Sequence, residues 1–202
     1  DNRDGVFNPG DSRLINKLCD RRFGIGADGL ILIKETHELD FEMVYFNSDG
    51  FEGTMCGNGG RCTADFAIRS GITGKKLTFN AIDGIHDAVA ENGIIRLKMN
   101  DVFEIRLVND NYFLNTGSPH YVVFTEELEN FDVYNEGKRL RHSKEFLPGG
   151  TNVNFVKPET SGIFVRTFER GVEDETLSCG TGVTASAIAS VLSGHFVRGP
   201  VN

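Results

Sequence analysis

The sequence predicts an α+β chain of two pseudo-symmetric domains, each an antiparallel or mixed sheet wrapped around a central helix. Three observations predict it. Strand-like runs of Val, Ile, Phe and Tyr, bounded by Gly, Asn and Asp, recur along all 202 residues. Three segments carry helix start and stop signals. The chain also repeats itself: at an offset of 123, "MCGNGGRCTADFAIRSG" (55–71) falls on "SCGTGVTASAIASVLSG" (178–194) without a gap. Cys56 then meets Cys179, Gly57 meets Gly180, Gly59 meets Gly182, and Ser70-Gly71 meets Ser193-Gly194.

In chain order, a helix is expected over residues 11–21, capped by Asp11 or Ser12. Strands follow at "GLILI" (29–33) and "FEMVYF" (41–46). The second helix starts near Cys56 and stops at Ser70-Gly71. Strands come next at "KLTFNA" (76–81) and "IIRLKM" (94–99), with Asn-Gly of "ENGI" (91–94) as a hairpin turn. A new strand series opens near 112–117, which places the halves at 1–113 and 114–202. It continues with "HYVVF" (120–124), "NVNFV" (152–156) and "GIFVRTFE" (162–169). The third helix runs from near Cys179 to Ser193-Gly194. Gly71 and Gly194 suit the left-handed residue that ends a helix. "GVTASAIASVLS" is apolar on nearly every side, which predicts a buried helix. The second helix carries Arg61, Asp65 and Arg69 as a charged stripe and is expected to be less enclosed.

Composition excludes several classes. A net charge of −8 disfavours binding to nucleic acid or to an anionic membrane, since both need a basic surface. No apolar run is long enough to span a bilayer, and no signal peptide is visible. The four cysteines (19, 56, 62 and 179) are too few for a disulfide-rich secreted scaffold. Reduced thiols in the cytoplasm are the expectation, so a specially placed cysteine is a candidate for chemistry.

Cys-Gly-x-Gly at a helix start has a physical meaning. The first N–H groups of a helix have no internal partner and carry partial positive charge, which favours an anion. Glycines let a ligand approach them. A cysteine there gains a stabilised thiolate. Two such helix ends facing one cleft would grip one carboxylate and flank its α-carbon with two thiols. One thiolate takes a proton and the other thiol gives one from the opposite face, inverting the centre by acid/base catalysis. Other readings of "MCGNGGRC" fit less well. The Cys56–Cys62 spacing is too wide for a zinc knuckle, so no metal is expected. The Lys-Ser/Thr ending of a phosphate loop is absent. "GIGADG" (24–29) is only a partial dinucleotide fingerprint. A Cys56–Cys179 disulfide would be an inactivated state. Cys19 and Cys62 are expected to be small buried hydrophobes.

"YFNSDGFEGTMCGNGGRC" (45–62) and "FERGVEDETLSCGTG" (168–182) resemble the two active-site signatures of the diaminopimelate epimerases. "FGIGADGL" (23–30), "NTGSPHYV" (115–122) and "GGTNVNFV" (149–156) add to the resemblance, in order, over nearly the whole chain. The resemblance implies a PLP-independent isomerase with no cofactor. It interconverts LL- and meso-diaminopimelate on the route to lysine and peptidoglycan. It implies Cys56 and Cys179 as the two acid/base groups. Gly57, Asn58, Gly180 and Thr181 would hold the carboxylate at the reacting centre. Asn47, Asn152 and Arg170 would hold the distal amino-acid end. Glu169 and His120 would bind the reacting amino group or help activate a thiol. It leaves room for a homodimer.

The chain departs from the family pattern in places. The family usually opens with a strand carrying a "GNDF"-like segment and a substrate-binding Asn, and this chain is read as starting just after it. Many members have Asn where Ser118 stands, and some have Gln where Gly29 stands. Several strands usually follow the third helix, where this chain has "HFVRGPVN". Related alternatives are proline racemase-like and PhzF-like isomerases. A non-enzymatic thiol redox or amino-acid-binding protein is an alternative of another class.

Overall fold

A computed structural model of the chain describes residues 1–197 and 199–201. The fold divides into two compact units, Asp1–Asn100 and Asp101–Asn202. The strand series opening near 112–117 predicts a boundary at 113/114. In the structure "IRLV" ahead of it already pairs into the second sheet, a link that long-range pairing decides and local pattern does not.

The first unit opens with α1 (Ser12–Cys19), capped by Asp11, whose side chain accepts from the Leu14 amide. A five-stranded sheet follows: β1 (Gly29–Lys34), β2 (Phe41–Asn47), β3 (Lys76–Ala81), β4 (Gly84–Glu91) and β5 (Ile94–Leu97), in that spatial order. All neighbours are antiparallel except β2 and β3, which the helix α2 (Gly57–Arg69) connects in parallel. Asn92 and Gly93 both have positive φ, 52° and 78°, as the β4–β5 hairpin turn requires. Gly71 (φ 69°) ends α2 as expected.

The helix α2 buries a face of small residues, among them Gly60, Ala64 and Ala67, against Phe41, Met43, Phe79 and Ala88 of the sheet. Close approach is built in, because a Cβ on Gly60 would lie 2.8 Å from Met55 Cε and 3.0 Å from Leu97 Cδ2. Ile15 and Cys19 of α1 pack with Leu32 and Phe46 in a separate cluster. Burial pushes the Cys19 thiol pKa up, with a smaller push from the Asp28 charge, which suits the structural role expected of it. Cys62 corrects its expectation: it is exposed on the outer face of α2.

One buried histidine in this unit sets a pH response. His86 on β4 is 1% exposed and stacks on Phe79 at 5.5 Å. Its Nδ1 lies 3.1 Å from the Lys98 carbonyl and its Nε2 lies 2.8 Å from Asp83 Oδ1. Both partners only accept, so a doubly protonated ring satisfies both. Burial alone lowers the imidazole pKa. The bonds to Asp83 and Lys98, with the charges of Asp83 and Asp87, outweigh it, and the net shift is upward. A raised folded pKa means stability that is full below the unfolded value, about 6.5, and is lost as pH rises through the folded value. Thermal melts between pH 6 and 8.5 should therefore show falling stability. His86→Gln should lower stability at pH 6 by about 1–3 kcal/mol and flatten that slope.

The second unit is a six-stranded sheet in the order β11-β10-β9-β8-β7-β6. Its strands are β6 (Ile105–Val108), β7 (Asn111–Asn115), β8 (Pro119–Phe124), β9 (Asn152–Pro158), β10 (Ile163–Glu169) and β11 (Asp174–Thr176). Only β8 and β9 are parallel. Between them lie α3 (Val133–Arg141), capped by Asp132, and a short 3₁₀ turn at Lys144–Phe146. One face of this sheet packs Tyr121, Val153, Phe155 and Phe168 with Leu128, Val133 and Phe146. The other packs Leu114, Val122 and Val156 with Ala185 and Ala189 of α4 (Gly180–Leu192).

The internal repeat carries through locally. The antiparallel pair β1–β2 and the antiparallel pair β9–β10 each lead, through a turn, to a cysteine-capped helix of 13 residues. Enclosure of α4 is one-sided, which corrects the expectation of burial all round. Gly182, Ala185, Ser186, Ala189 and Ser190 are buried, while Val183 and Leu192 are 44% and 51% exposed. The buried serines turn their hydroxyls back to carbonyls one turn earlier, Ser186 to Gly182 and Ser190 to Ser186, so they pack as small residues.

Candidate active site

The two conserved-in-repeat cysteines occupy the same backbone position. Cys56 caps α2 with φ −110° and ψ 110°, and Cys179 caps α4 with φ −120° and ψ 105°. The first helical bond is equivalent in both: Gly60 N–H donates to the Cys56 carbonyl at 2.8 Å, and Val183 N–H to the Cys179 carbonyl at 2.9 Å. Gly57 and Asn58 are the first two residues of α2, and Gly180 and Thr181 are the first two of α4. They stand where the end of a helix carries partial positive charge.

The sulfurs have different surroundings. Cys56 is half-buried, and its Sγ accepts from the Gly59 amide at 3.3 Å. A helix-start N–H aimed at sulfur favours the thiolate. Cys179 is 8% exposed, and its Sγ lies 3.5 Å from Thr181 Oγ1.

In the second unit the predicted residues form two connected groups. His120 on β8 is wholly buried. Its Nε2 lies 2.9 Å from Thr181 Oγ1, and its Nδ1 is 3.0 Å from Asn154 Nδ2. Burial, aided by the nearby Arg170 charge, lowers its pKa to about 3. The ring is therefore neutral at neutral pH and serves as a hydrogen-bonding group. Thr116 Oγ1 donates to the Thr181 carbonyl at 2.8 Å and holds the helix start from another side.

Asn152, paired in register with His120 across β8 and β9, anchors the second group. Its Nδ2 donates to Ser118 Oγ at 2.9 Å and to the Pro119 carbonyl at 3.0 Å. Its Oδ1 accepts from the Arg170 amide at 2.8 Å. Both amide hydrogens are thus used within the protein. A lone pair on Oδ1 is what remains, which suits an ammonium and not a carboxylate. Ser118 stands where many family members have Asn, and here it is an acceptor for Asn152.

Glu169 ends β10, and its Oε2 accepts from Thr176 Oγ1 at 2.9 Å. Arg170 follows; its Nη1 donates to the Gly149 carbonyl at 3.3 Å. Burial and then the Arg141 charge lower its pKa, against a smaller opposing effect of Glu173. Arg141 pairs with Glu173 at 3.0 Å, and the Gly171 amide donates to Glu173 Oε1 at 3.0 Å, which fixes the turn after Arg170.

Asn47 ends β2 in the first unit, where its amide donates to the Phe51 carbonyl and its carbonyl accepts from Gly50, both at 2.9 Å. It closes the turn that leads to Cys56. Among the described residues no group of three or more His, Cys, Asp or Glu is placed to hold a metal. Among the same described residues no helix is long and apolar enough to cross a membrane. Sequence reasoning missed Asn154, Thr167 and Thr116. The only signal for Asn154 is the alternation of "NVNFV", which puts residues 152, 154 and 156 on one face of β9.

Comparisons with known proteins place the chain in a family and a fold. The family described as diaminopimelate epimerase matches residues 1–100 and 112–202. The chain is 56% identical over 197 residues to the diaminopimelate epimerase of Flavobacterium psychrophilum, covering 96% of this chain and 77% of that one. It is 46% identical to the Chlorobaculum tepidum diaminopimelate epimerase, covering 94% and 77%. Among solved structures, a PhzF-family phenazine biosynthesis protein of Bacillus anthracis aligns with TM-score 0.70 at 17% identity, covering 98% of this chain and 74% of that one. A probable proline racemase from Agrobacterium radiobacter aligns with TM-score 0.67 at 16% identity, covering 96% and 68%. At those identities the likeness is one of fold.

Proposed function

The chain belongs to the diaminopimelate epimerase family, and from that membership we propose a cofactor-independent two-base reaction with Cys56 and Cys179 as the acid and the base. The substrate is diaminopimelate, interconverted between its LL and meso forms. One thiolate takes the α-proton, and the other cysteine's thiol gives a proton to the opposite face of the same carbon. The two ends of this reaction have similar energy, so two groups of the same chemical type suit both directions.

The observation that carries the reading is the pair of matched cysteine caps, each followed by Gly and a polar residue at a helix start. The N–H groups there favour the substrate carboxylate and the negative charge that grows on it as the α-proton leaves. Asn47, Asn152 and Arg170 hold the distal end, and Glu169 accepts the reacting ammonium. His120, being neutral, acts through hydrogen bonds rather than as a proton carrier. Both thiols must stay reduced, which supports a cytoplasmic setting.

Arg170 also separates this reading from a proline racemase-like one. A small cyclic amino acid has no distal carboxylate for it to pair. The reduced protein, with no PLP added, should convert LL-diaminopimelate to the meso form and leave L-proline unchanged, as read by chiral chromatography. Inversion of proline but not of diaminopimelate would overturn the assignment.

A further inference from the structure

We infer that Asn154 is a positioning residue that fixes the tautomer of His120 and, through it, turns the Thr181 hydroxyl hydrogen toward the sulfur of Cys179. This rests on the proposed role of Cys179 as an acid/base group. The chain of contacts is continuous and buried. Thr167 Oγ1 donates to Asn154 Oδ1 at 2.9 Å, Asn154 Nδ2 meets His120 Nδ1 at 3.0 Å, His120 Nε2 meets Thr181 Oγ1 at 2.9 Å, and Thr181 Oγ1 meets Cys179 Sγ at 3.5 Å. Thr167, Asn154, His120 and Thr181 are each 3% exposed or less.

Direction along the chain follows from chemistry. The Asn154 amide nitrogen also lies 3.5 Å from the Tyr121 carbonyl, a group that can only accept. This sets the amide with its nitrogen toward Tyr121 and His120 and its oxygen toward Thr167. Nδ1 of His120 must then accept. The ring is neutral, held so by burial, so its one hydrogen is on Nε2 and is donated to Thr181 Oγ1. With that oxygen accepting from His120, its own hydrogen is available to the sulfur of Cys179. A hydroxyl donated to sulfur stabilises the thiolate over the thiol.

The reverse amide orientation would run every bond the other way and draw the thiol hydrogen toward His120. Asn154 therefore selects between two states of Cys179. The packing leaves it no slack, because a Cβ on Gly182, the third residue of α4, would fall on Asn154 Oδ1. The polar residues 120, 152, 154 and 167 occupy the stretch of the α4-facing sheet surface beside the helix start. Val122, Val156 and Val165 continue the same face as apolar core.

The test has a spectroscopic and a kinetic arm. Long-range ¹H–¹⁵N correlation on the full chain at pH 7 should show His120 protonated at Nε2 with an unprotonated Nδ1. A ring protonated at Nδ1 would overturn the proposal without touching the epimerase assignment, and it needs no variant. Asn154→Asp keeps the acceptor for Thr167 and puts a second acceptor where Nδ2 stood. It should move a hydrogen to Nδ1 and lower kcat by about 10- to 100-fold, the worth of a hydrogen bond to a charged group, with KM nearly unchanged. Thr167→Val serves as a milder second variant, with a smaller fall in kcat in the same sense. Unchanged kcat in a folded Asn154→Asp protein would also overturn the proposal. Absence of epimerisation by the wild-type chain would instead overturn the function on which it rests.

Discussion

Cys56→Ala and Cys179→Ala should each lower kcat for diaminopimelate epimerisation by roughly 10²- to 10⁴-fold, the range that a positioned acid or base contributes. The physical reason is that inversion needs a proton taken on one face and given on the other. A variant with one thiol can do only half of this. It should still exchange the α-hydrogen of the isomer that faces its remaining thiolate, and return the same isomer. The two variants should therefore exchange opposite isomers. Folding should survive, because the Cys56 sulfur accepts one helix-start amide at 3.3 Å and the Cys179 sulfur makes no cap bond and meets Thr181 Oγ1 at 3.5 Å, each contact worth about 1 kcal/mol at most. Melting curves and exchange of the α-hydrogen by NMR check both halves. Near-normal turnover by either single variant would remove the two-base assignment.

Arg170→Gln should lower kcat/KM by roughly 30- to 10³-fold, mostly through KM, as expected for loss of a charged hydrogen-bonded pair to a carboxylate. The cation stands in a costly setting. It is half-buried, and both burial and the charge of Arg141 push its pKa down. Arg141 is matched by Glu173. In the proposed role, a substrate carboxylate arriving at Arg170 would relieve this cost and gain a bidentate partner. Arg170→Lys should recover only part of the loss, since a single ammonium cannot reproduce the fork. Initial-rate kinetics on LL-diaminopimelate decide the matter, and an unchanged KM in Arg170→Gln would contradict the role.

Much of the fold was legible because its signals are local. The three helices read from caps and stops appear as Ser12–Cys19, Gly57–Arg69 and Gly180–Leu192. Asp11, Ser70-Gly71 and Ser193-Gly194 mark their ends by side-chain capping and left-handed glycine. The β-branched and aromatic strand runs were likewise found. What escaped lacks such signals. The helix Val133–Arg141 carries Gly137 in its middle and only three apolar residues, and it owes its place to packing: a Cβ on Gly137 would fall on Phe168. Strand Gly84–Glu91 mixes His, Asp and Ala into its run, and strands Ile105–Val108 and Asp174–Thr176 are short, so these three take their identity from their partners.

The candidate site divides along the same line. Its cysteines were found from the repeat, which sequence displays directly. The resemblance supplied His120, Asn152, Glu169 and Arg170. The support behind them was not legible, because Thr116, Asn154 and Thr167 come from the β7–β8 turn, β9 and β10 and meet His120 and Thr181 only on folding. The same holds for His86. Its raised pKa follows from Asp83 and a carbonyl of Lys98 that converge on one ring from outside its own strand.

The most direct measurement of the two-base claim is the fate of deuterium when LL-diaminopimelate reacts in D₂O with the reduced wild-type chain. A thiol carries one exchangeable hydrogen, so the proton that is taken and the proton that is given belong to different sulfurs. At low conversion the account predicts meso product with one deuterium at the inverted α-carbon, while recovered LL substrate remains protiated. Deuterium appearing equally in recovered substrate and product, as a single base serving both faces would give, or product formed without deuterium, would contradict it.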